Sequence, residues 1–291
     1  MSAPVPDALV SLNRRLWLYR GLVVVLSLSL LGVLGAVRRA MATAPDPDVE
    51  VFDVPARFEA LARHNPGAAD VSETYFYGDS ATVHLHAMGR GQTCPLHIHR
   101  GTHEATVIAA GQALVRQVWG RDDALIELRS PRRPGELIGS PPFTGHEWRN
   151  PSAEQFLGNL VFATPHFDGN LYVDADDARM KQGREPFAFD PDLSLAALRA
   201  KGETSREEAL PVLDGHMSSL LLDGGERALT ATPEQPVVLY VARGTGTLAA
   251  PEARPVKVGQ LWVLRRAAQV RTEASGGLVL YVFRPPSSPS R

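Results

Sequence analysis

Three of the nine histidines fall within seven residues, in the stretch GQTCPLHIHRGTHEATVIAAG (residues 91–111), beside a glutamate. If that stretch is extended, His97 and His99 stand two apart and project from one face of a strand. The RGT that follows can turn the chain, bringing Glu104 to the start of the next strand, close to both imidazoles. Anything further must come from a later strand, and PPFTGHEWRN offers His146. Three neutral imidazoles and one carboxylate suit a single divalent first-row metal: Fe, Mn, Ni, Zn or Cu. On a six-coordinate ion they leave two positions for water, a small molecule or dioxygen. On tetrahedral zinc they leave none.

Other chemistry-bearing residues read more blandly. His103, beside Glu104, reads as a turn residue, the alternative being a donor that orients a ligand or stands in for one. His84 and His86 alternate on one face of the preceding strand, meeting a substrate if that face lines an interior and solvent if it does not. His166 follows the strand after His146 and falls at a rim. Glu147 and Arg149 flank His146, but alternation turns them away from it. The single cysteine, Cys94, excludes an internal disulfide and reads as a small buried hydrophobe. No serine–histidine–acid pattern, phosphate loop or zinc-ribbon spacing is present.

The elements that must position these residues are strands. The 25 glycines and 23 prolines among 291 residues recur as punctuation between short alternating runs. Between residues 73 and 166 those runs repeat every 8 to 12 residues or so, which predicts an antiparallel sandwich or barrel. ARFEALARH (residues 56–64) has helical spacing. From residue 186 to 210 the pattern turns helical: DPDLSLAALRAKG predicts a helix with Asp192 as its N-cap and Gly202 as its stop. TSREEAL adds a turn with Ser205 and Glu208 at capping-box spacing. Alternation then resumes. VVLYVARGTGTL echoes ATVIAAGQALV, VKVGQLWVLRRAAQVR echoes RRPGELIGSPPFTGHEW, and GLVLYVFRPP echoes GNLVFATP, in the same order. That order predicts a divergent duplication of one β-domain.

The N-terminus carries a different signal. Residues 17–37 are apolar but for Arg20 and two serines, with arginines before and after. This reads as an uncleaved transmembrane helix, with Arg14, Arg15 and Arg20 before the uncharged run 21–37 against Arg38 and Arg39 after it placing the body on the outer side. A signal peptide cleaved near AMATA, releasing a secreted body, and a buried core helix are the alternatives. Residues 45–72 read as a linker with a short helix, and residues 286–291 as a disordered tail. A net charge of −2 argues against a nucleic-acid partner.

With these residues in view, the chain resembles the cupin superfamily. Gly91, five residues, His97, one residue, His99, four residues, Glu104, six residues and Gly111 match that family's first motif. Gly135, Pro141, His146 and Asn150 match its second, with Phe143 standing where a glycine belongs. The resemblance implies an all-β fold of two jelly-roll barrels joined by a short helical linker: a metal-binding domain over residues 73–185 and a second over residues 211–285. It implies that His97, His99, Glu104 and His146 ligate one divalent transition metal. In the second half, Gly244 aligned on Gly111 puts Thr230, Thr232 and Val237 at ligand positions, and Gly259 aligned on Gly135 puts Val270 at the last histidine. That barrel is expected to bind no metal. Cupins with this ligand set include dioxygenases, isomerases, decarboxylases and oxidases of small molecules, so the expectation is a mononuclear enzyme, dioxygenase first. A non-catalytic, membrane-tethered barrel that captures a small ligand or metal is the alternative, and homodimerisation is left open.

Overall fold

Strand β1 (Val49–Asp53) leads directly into helix α1 (Val54–His64). Asp53 starts the helix by accepting the Ala56 N–H at 3.0 Å, with Pro55 in the first turn where no donor is missed. This is a computed structural model, which describes residues 48–286 apart from 66, 68–69, 251 and 273–276. The apolar segment 17–37 and the tail beyond residue 286 lie outside the described residues. Among the described residues no helix is long and apolar enough to cross a membrane.

The first barrel comprises β2 (Asp70–Tyr77), β3 (Thr82–Met88), β4 (Thr93–Ile98), β5 (His103–Ala110), β6 (Ala113–Arg121), β7 (Ala124–Arg132), β8 (Leu137–Ser140), β9 (Gly145–Arg149), β10 (Leu157–Thr164), β11 (Leu171–Tyr172) and β12 (Phe187–Phe189). These form two sheets, in the orders β12-β8-β5-β10-β3-β2 and β11-β4-β9-β6-β7. After helix α2 (Pro191–Ala200) the second barrel comprises β13 (Ser205–Ala209), β14 (Met217–Leu222), β15 (Glu226–Leu229), β16 (Val237–Ala249), β17 (Ala253–Lys257), β18 (Gln260–Leu264), β19 (Ala268–Arg271) and β20 (Leu278–Phe283). Its main sheet runs β1-β18-β16-β20-β14-β13, the same pattern position by position. Strand β1, which precedes the first barrel, therefore fills in the second barrel the place that β12 fills in the first.

The sequence echoes are structural. Gly111 and Gly244 hold φ of +74° and +76°, and Gly135 and Gly259 hold +83° and +84°. At Gly244 a Cβ would lie 1.6 Å from the Gly277 carbonyl oxygen, so only glycine fits.

Two expectations need correction. Residues 186–210 are not a helical linker throughout: β12 joins the first barrel, β13 joins the second, and only α2 between them is helical. Residues 205–209 pair in register with β14, from Ser205↔Leu222 to Ala209↔Ser218. The capping-box spacing is a local signal, and the unpaired edge of β14 overrides it. Asp190, not Asp192, caps α2, accepting the N–H of Asp192 at 2.8 Å and of Leu193 at 3.2 Å. Pro191, with its fixed φ and missing donor, takes the first helical position.

Period-2 alternation sorts the side chains. On β5, Ala105 and Val107 pack outward against the second barrel, while Glu104 and Thr106 face the first barrel's interior. On β10, Leu160 and Phe162 face outward, and Asn159 and Val161 face in. On β16, Val238, Tyr240 and Ala242 meet the first barrel, whereas Val237, Leu239 and Val241 fill the second. The barrels thus share one apolar core, sealed by the Phe162–Phe283 ring pair at 5.6 Å and by Tyr281 Oη donating to Gly135 O at 2.6 Å.

Candidate metal centre

His97 is the penultimate residue of β4 and faces His146 directly across the β4–β9 ladder. His99 lies just past β4, and Glu104 is the second residue of β5. All four are buried, with His97, His99 and His146 at most 3% exposed and Glu104 at 6%. One ring nitrogen from each histidine lies within 4.8 Å of the others. Glu104 Oε2 stands 3.3 Å from His99 Nε2 and 3.0 Å from His146 Nε2.

The turn before His146 is held by Phe143 at φ +60°, so a phenylalanine adopts the left-handed conformation where the motif has glycine. Gly145 serves packing instead: a Cβ there would approach Met180 Sδ to 2.4 Å.

Each imidazole is oriented from behind. His97 Nδ1 donates to Pro95 O at 2.8 Å, His99 Nδ1 to Gly169 O at 2.9 Å, and His146 Nδ1 to Thr144 O at 3.3 Å. A carbonyl only accepts, so each Nδ1 carries the proton and each Nε2 presents a lone pair. The Nε2 atoms of His99 and His146 are buried without a hydrogen-bond partner, because their approach to Glu104 is not at hydrogen-bond angles. Lone pairs gathered on a carboxylate oxygen repel unless a cation lies among them. The spacing of about 3.0–3.4 Å between neighbouring ligands on an ion with bonds of about 2.1 Å fits these contacts. The donor set therefore fits one divalent transition metal.

The electrostatics agree. Burial and the neighbouring His146 push His97 down to about 3, keeping it neutral. Burial alone would raise Glu104, but His99 and His146 outweigh it and hold the carboxyl well below its usual range. Burial would lower His99, but Glu104, Gly169 and Asp168 together raise it.

A cleft of about 450 Å³, part of it open to solvent, is lined by His97, His146 and Glu104. Its walls include Met88, Trp148, Val161 and Phe167 on the apolar side and Asp70, His86, Thr106 and Asn159 on the polar side. Asn159 is 5% exposed and its Oδ1 has no partner. His86 lines this cleft and pairs with Asp70 at 3.0 Å. His84 lies behind, stacked edge-on to His86 and Phe167, and burial lowers it to about 4. Cys94 is half-buried at the cleft wall, its Sγ 3.7 Å from His97 Nδ1, and burial pushes its thiol up to about 12.

The remaining candidates lie apart. His103 pairs with Asp214 of the second barrel at 3.1 Å. His166 stacks on Tyr77 and bonds Gly78 O. Glu147 turns to Arg116 at 3.5 Å, on the face opposite His146. In the second barrel, apolar side chains such as Leu229, Leu248, Trp262 and Val270 occupy the interior. Among the described residues the three-histidine group is the one cluster suited to a metal.

Sequence reasoning passed over Asp168. Its Oδ1 lies 3.2 Å from His99 Nδ1, and its Oδ2 accepts the N–H of Arg100 at 3.2 Å and of Gly101 at 3.1 Å. The Asp-Gly step at 168–169 marks a turn, but nothing in the sequence ties that turn to His99.

No protein-family model and no curated protein matches the chain. Solved structures do match. Salicylate 1,2-dioxygenase from Pseudaminobacter salicylatoxidans has a TM-score of 0.57 at 13% identity, over 82% of this chain and 85% of that one. The same enzyme with gentisate gives 0.54 at 13% identity, over 98% and 92%. A cupin 2 conserved barrel domain protein from Leptotrichia buccalis gives 0.51 at 11% identity, over 81% and 96%. At these identities the likeness is one of fold: the architecture is that of cupin-type barrels.

Proposed function

We propose that the first barrel holds one divalent transition metal through His97, His99, His146 and Glu104, and that it acts on a small molecule bound in the adjoining cleft, as a dioxygenase-type enzyme. The observation that carries this reading is the convergence of three buried imidazoles, each with its Nδ1 proton directed at a backbone carbonyl behind it. The fold shared with a dioxygenase, and iron's suitability for such a donor set, favour Fe. A bound ion would supply open positions where substrate and dioxygen meet, and a Lewis acid for either. The chain's own residues do the rest. Glu104 offsets part of the ion's charge, the Nδ1 donors fix the imidazoles, and Trp148, Phe167 and Met88 give the substrate an apolar wall that excludes water.

Metal analysis of protein purified without a histidine tag tests the centre, with His97→Ala as the control. The expected result is about one equivalent of metal in the wild type and little in the variant. Oxygen uptake with a panel of small phenols then tests turnover. A wild type that takes up no metal sinks the reading, and bound metal without turnover favours a capturing module.

A further inference from the structure

We propose that the cleft beside the metal centre selects an uncharged or cationic small molecule bearing a hydrogen-bond donor, and rejects carboxylates. This rests on the metal-centre reading above and names the substrate class for it.

Charge is the first argument. Among the described residues that line the cleft there is no lysine and no arginine, while two carboxylates, Asp70 and Glu104, face it. His86 is the nearest candidate cation at the wall, but it is paired with Asp70 at 3.0 Å, so even a protonated His86 leaves that pair neutral. With His86 unprotonated, Glu104 and Asp70 match the two charges of a divalent ion; with His86 protonated, Asp70 answers His86 and Glu104 alone offsets the ion. A monoanion entering the cleft would meet Asp70 and Glu104 and find no guanidinium or ammonium to receive it. Like charge brought together in a partly desolvated cleft is costly.

The second argument is independent. Asn159 projects from β10 into the cleft, is 5% exposed, and leaves its Oδ1 without a donor. A buried carbonyl oxygen in that state is completed by a ligand or water that brings an N–H or O–H. A carboxylate brings only acceptors. The solved dioxygenase of like fold is named for salicylate and has been captured with gentisate, both carboxylates. This cleft is built for the opposite polarity.

The test uses the full chain loaded with cobalt(II), a probe that need not turn over, and calorimetry with three near-isosteric phenols: 2-hydroxybenzoate, 2-hydroxybenzamide and 2-hydroxybenzylamine. The amide and the amine should bind at least about tenfold more tightly than the carboxylate. Asn159→Leu should weaken the amide by about tenfold while cobalt stoichiometry stays at that of the wild type. Asp70→Asn, at a half-exposed site that tolerates change, should narrow the gap between carboxylate and amine, and it decides the matter if Asn159→Leu does not fold. Carboxylate binding as tight as that of the amide overturns the proposal, as does amide binding unmoved by Asn159→Leu, or no binding by any of the three. Failure to take up cobalt is a separate result that sinks the metal-centre reading. The same three phenols titrated against the apo cleft then still decide the charge preference.

Discussion

Replacing Asp168 by alanine should loosen the metal centre without touching a ligand. In the native chain its Oδ1 sits 3.2 Å from His99 Nδ1, and its Oδ2 clamps the Arg100 and Gly101 amides at 3.2 and 3.1 Å. The carboxylate thereby both holds the His99 ring and fixes the turn that carries it. Removing such a partner costs about 10–100-fold in metal affinity. Here the lower end applies, because Gly169 O remains 2.9 Å from His99 Nδ1 and keeps the proton on that nitrogen. The expected loss is about tenfold, or ~1.4 kcal/mol. Fold stability should fall by ~2 kcal/mol for the lost charge-assisted bonds, lowering Tm by roughly 4–8 °C. Asp168→Asn should resemble alanine closely, since one amide oxygen cannot serve donors on both sides of the group. Chelator competition gives the affinity and a thermal melt gives the stability. A metal Kd within twofold of wild type, alongside the expected drop in Tm, would show Asp168 to be a loop clamp only and refute the reasoning.

Two further substitutions probe the scaffold. Gly183→Ala would place a Cβ 2.7 Å from Phe143 O and 2.9 Å from Thr144 Cα, pressing on the turn that leads to His146. It should cost ~1–3 kcal/mol and weaken metal binding as well, read by the same melt and competition assay; unchanged values in both would contradict the packing. Tyr281→Phe removes the 2.6 Å bond to Gly135 O between the barrels and should cost ~1–3 kcal/mol in the melt, with metal affinity unchanged.

The clustering of the site's side chains was legible because it is written in spacing. A His-x-His pair on a strand must share a face, a short turn must return Glu104 beside it, and the structure brings His146 opposite His97 across a ladder. Less legible was whatever depends on a distant partner. Residues 205–209 carry helix-like capping residues and no apolar face, so only β14 could make them a strand. The run at 49–53 could be read as edge-competent, but nothing local says that it closes the sheet of the more distant barrel. Asp168 sits 69 residues from His99, in a polar loop without periodicity. His84 and His86, undecided between interior and solvent, face inward, and His86 lines the cleft.

The two barrels divide the work of one fold. In the first, a buried row runs from His97 through His146 to Gln117, and Asn159 faces it from the other sheet. Four polar atoms there, His99 Nε2, His146 Nε2, Gln117 Nε2 and Asn159 Oδ1, are buried without partners. Such a concentration destabilises a protein unless something completes it. In the second barrel the row that pairs Val270 with Leu248 is apolar, and its interior is packed with leucine, valine and tryptophan. That packed interior stiffens β16, β18 and β20, whose outer faces press Tyr240, Tyr281 and Phe283 onto Ala105, Val107, Leu160 and Phe162. Those four residues are the backs of β5 and β10, the strands that carry Glu104 and Asn159. The apolar barrel thus backs the strands that carry Asn159 and the buried histidine–glutamate cluster's Glu104, and it can do so because its own interior is filled with packed apolar side chains.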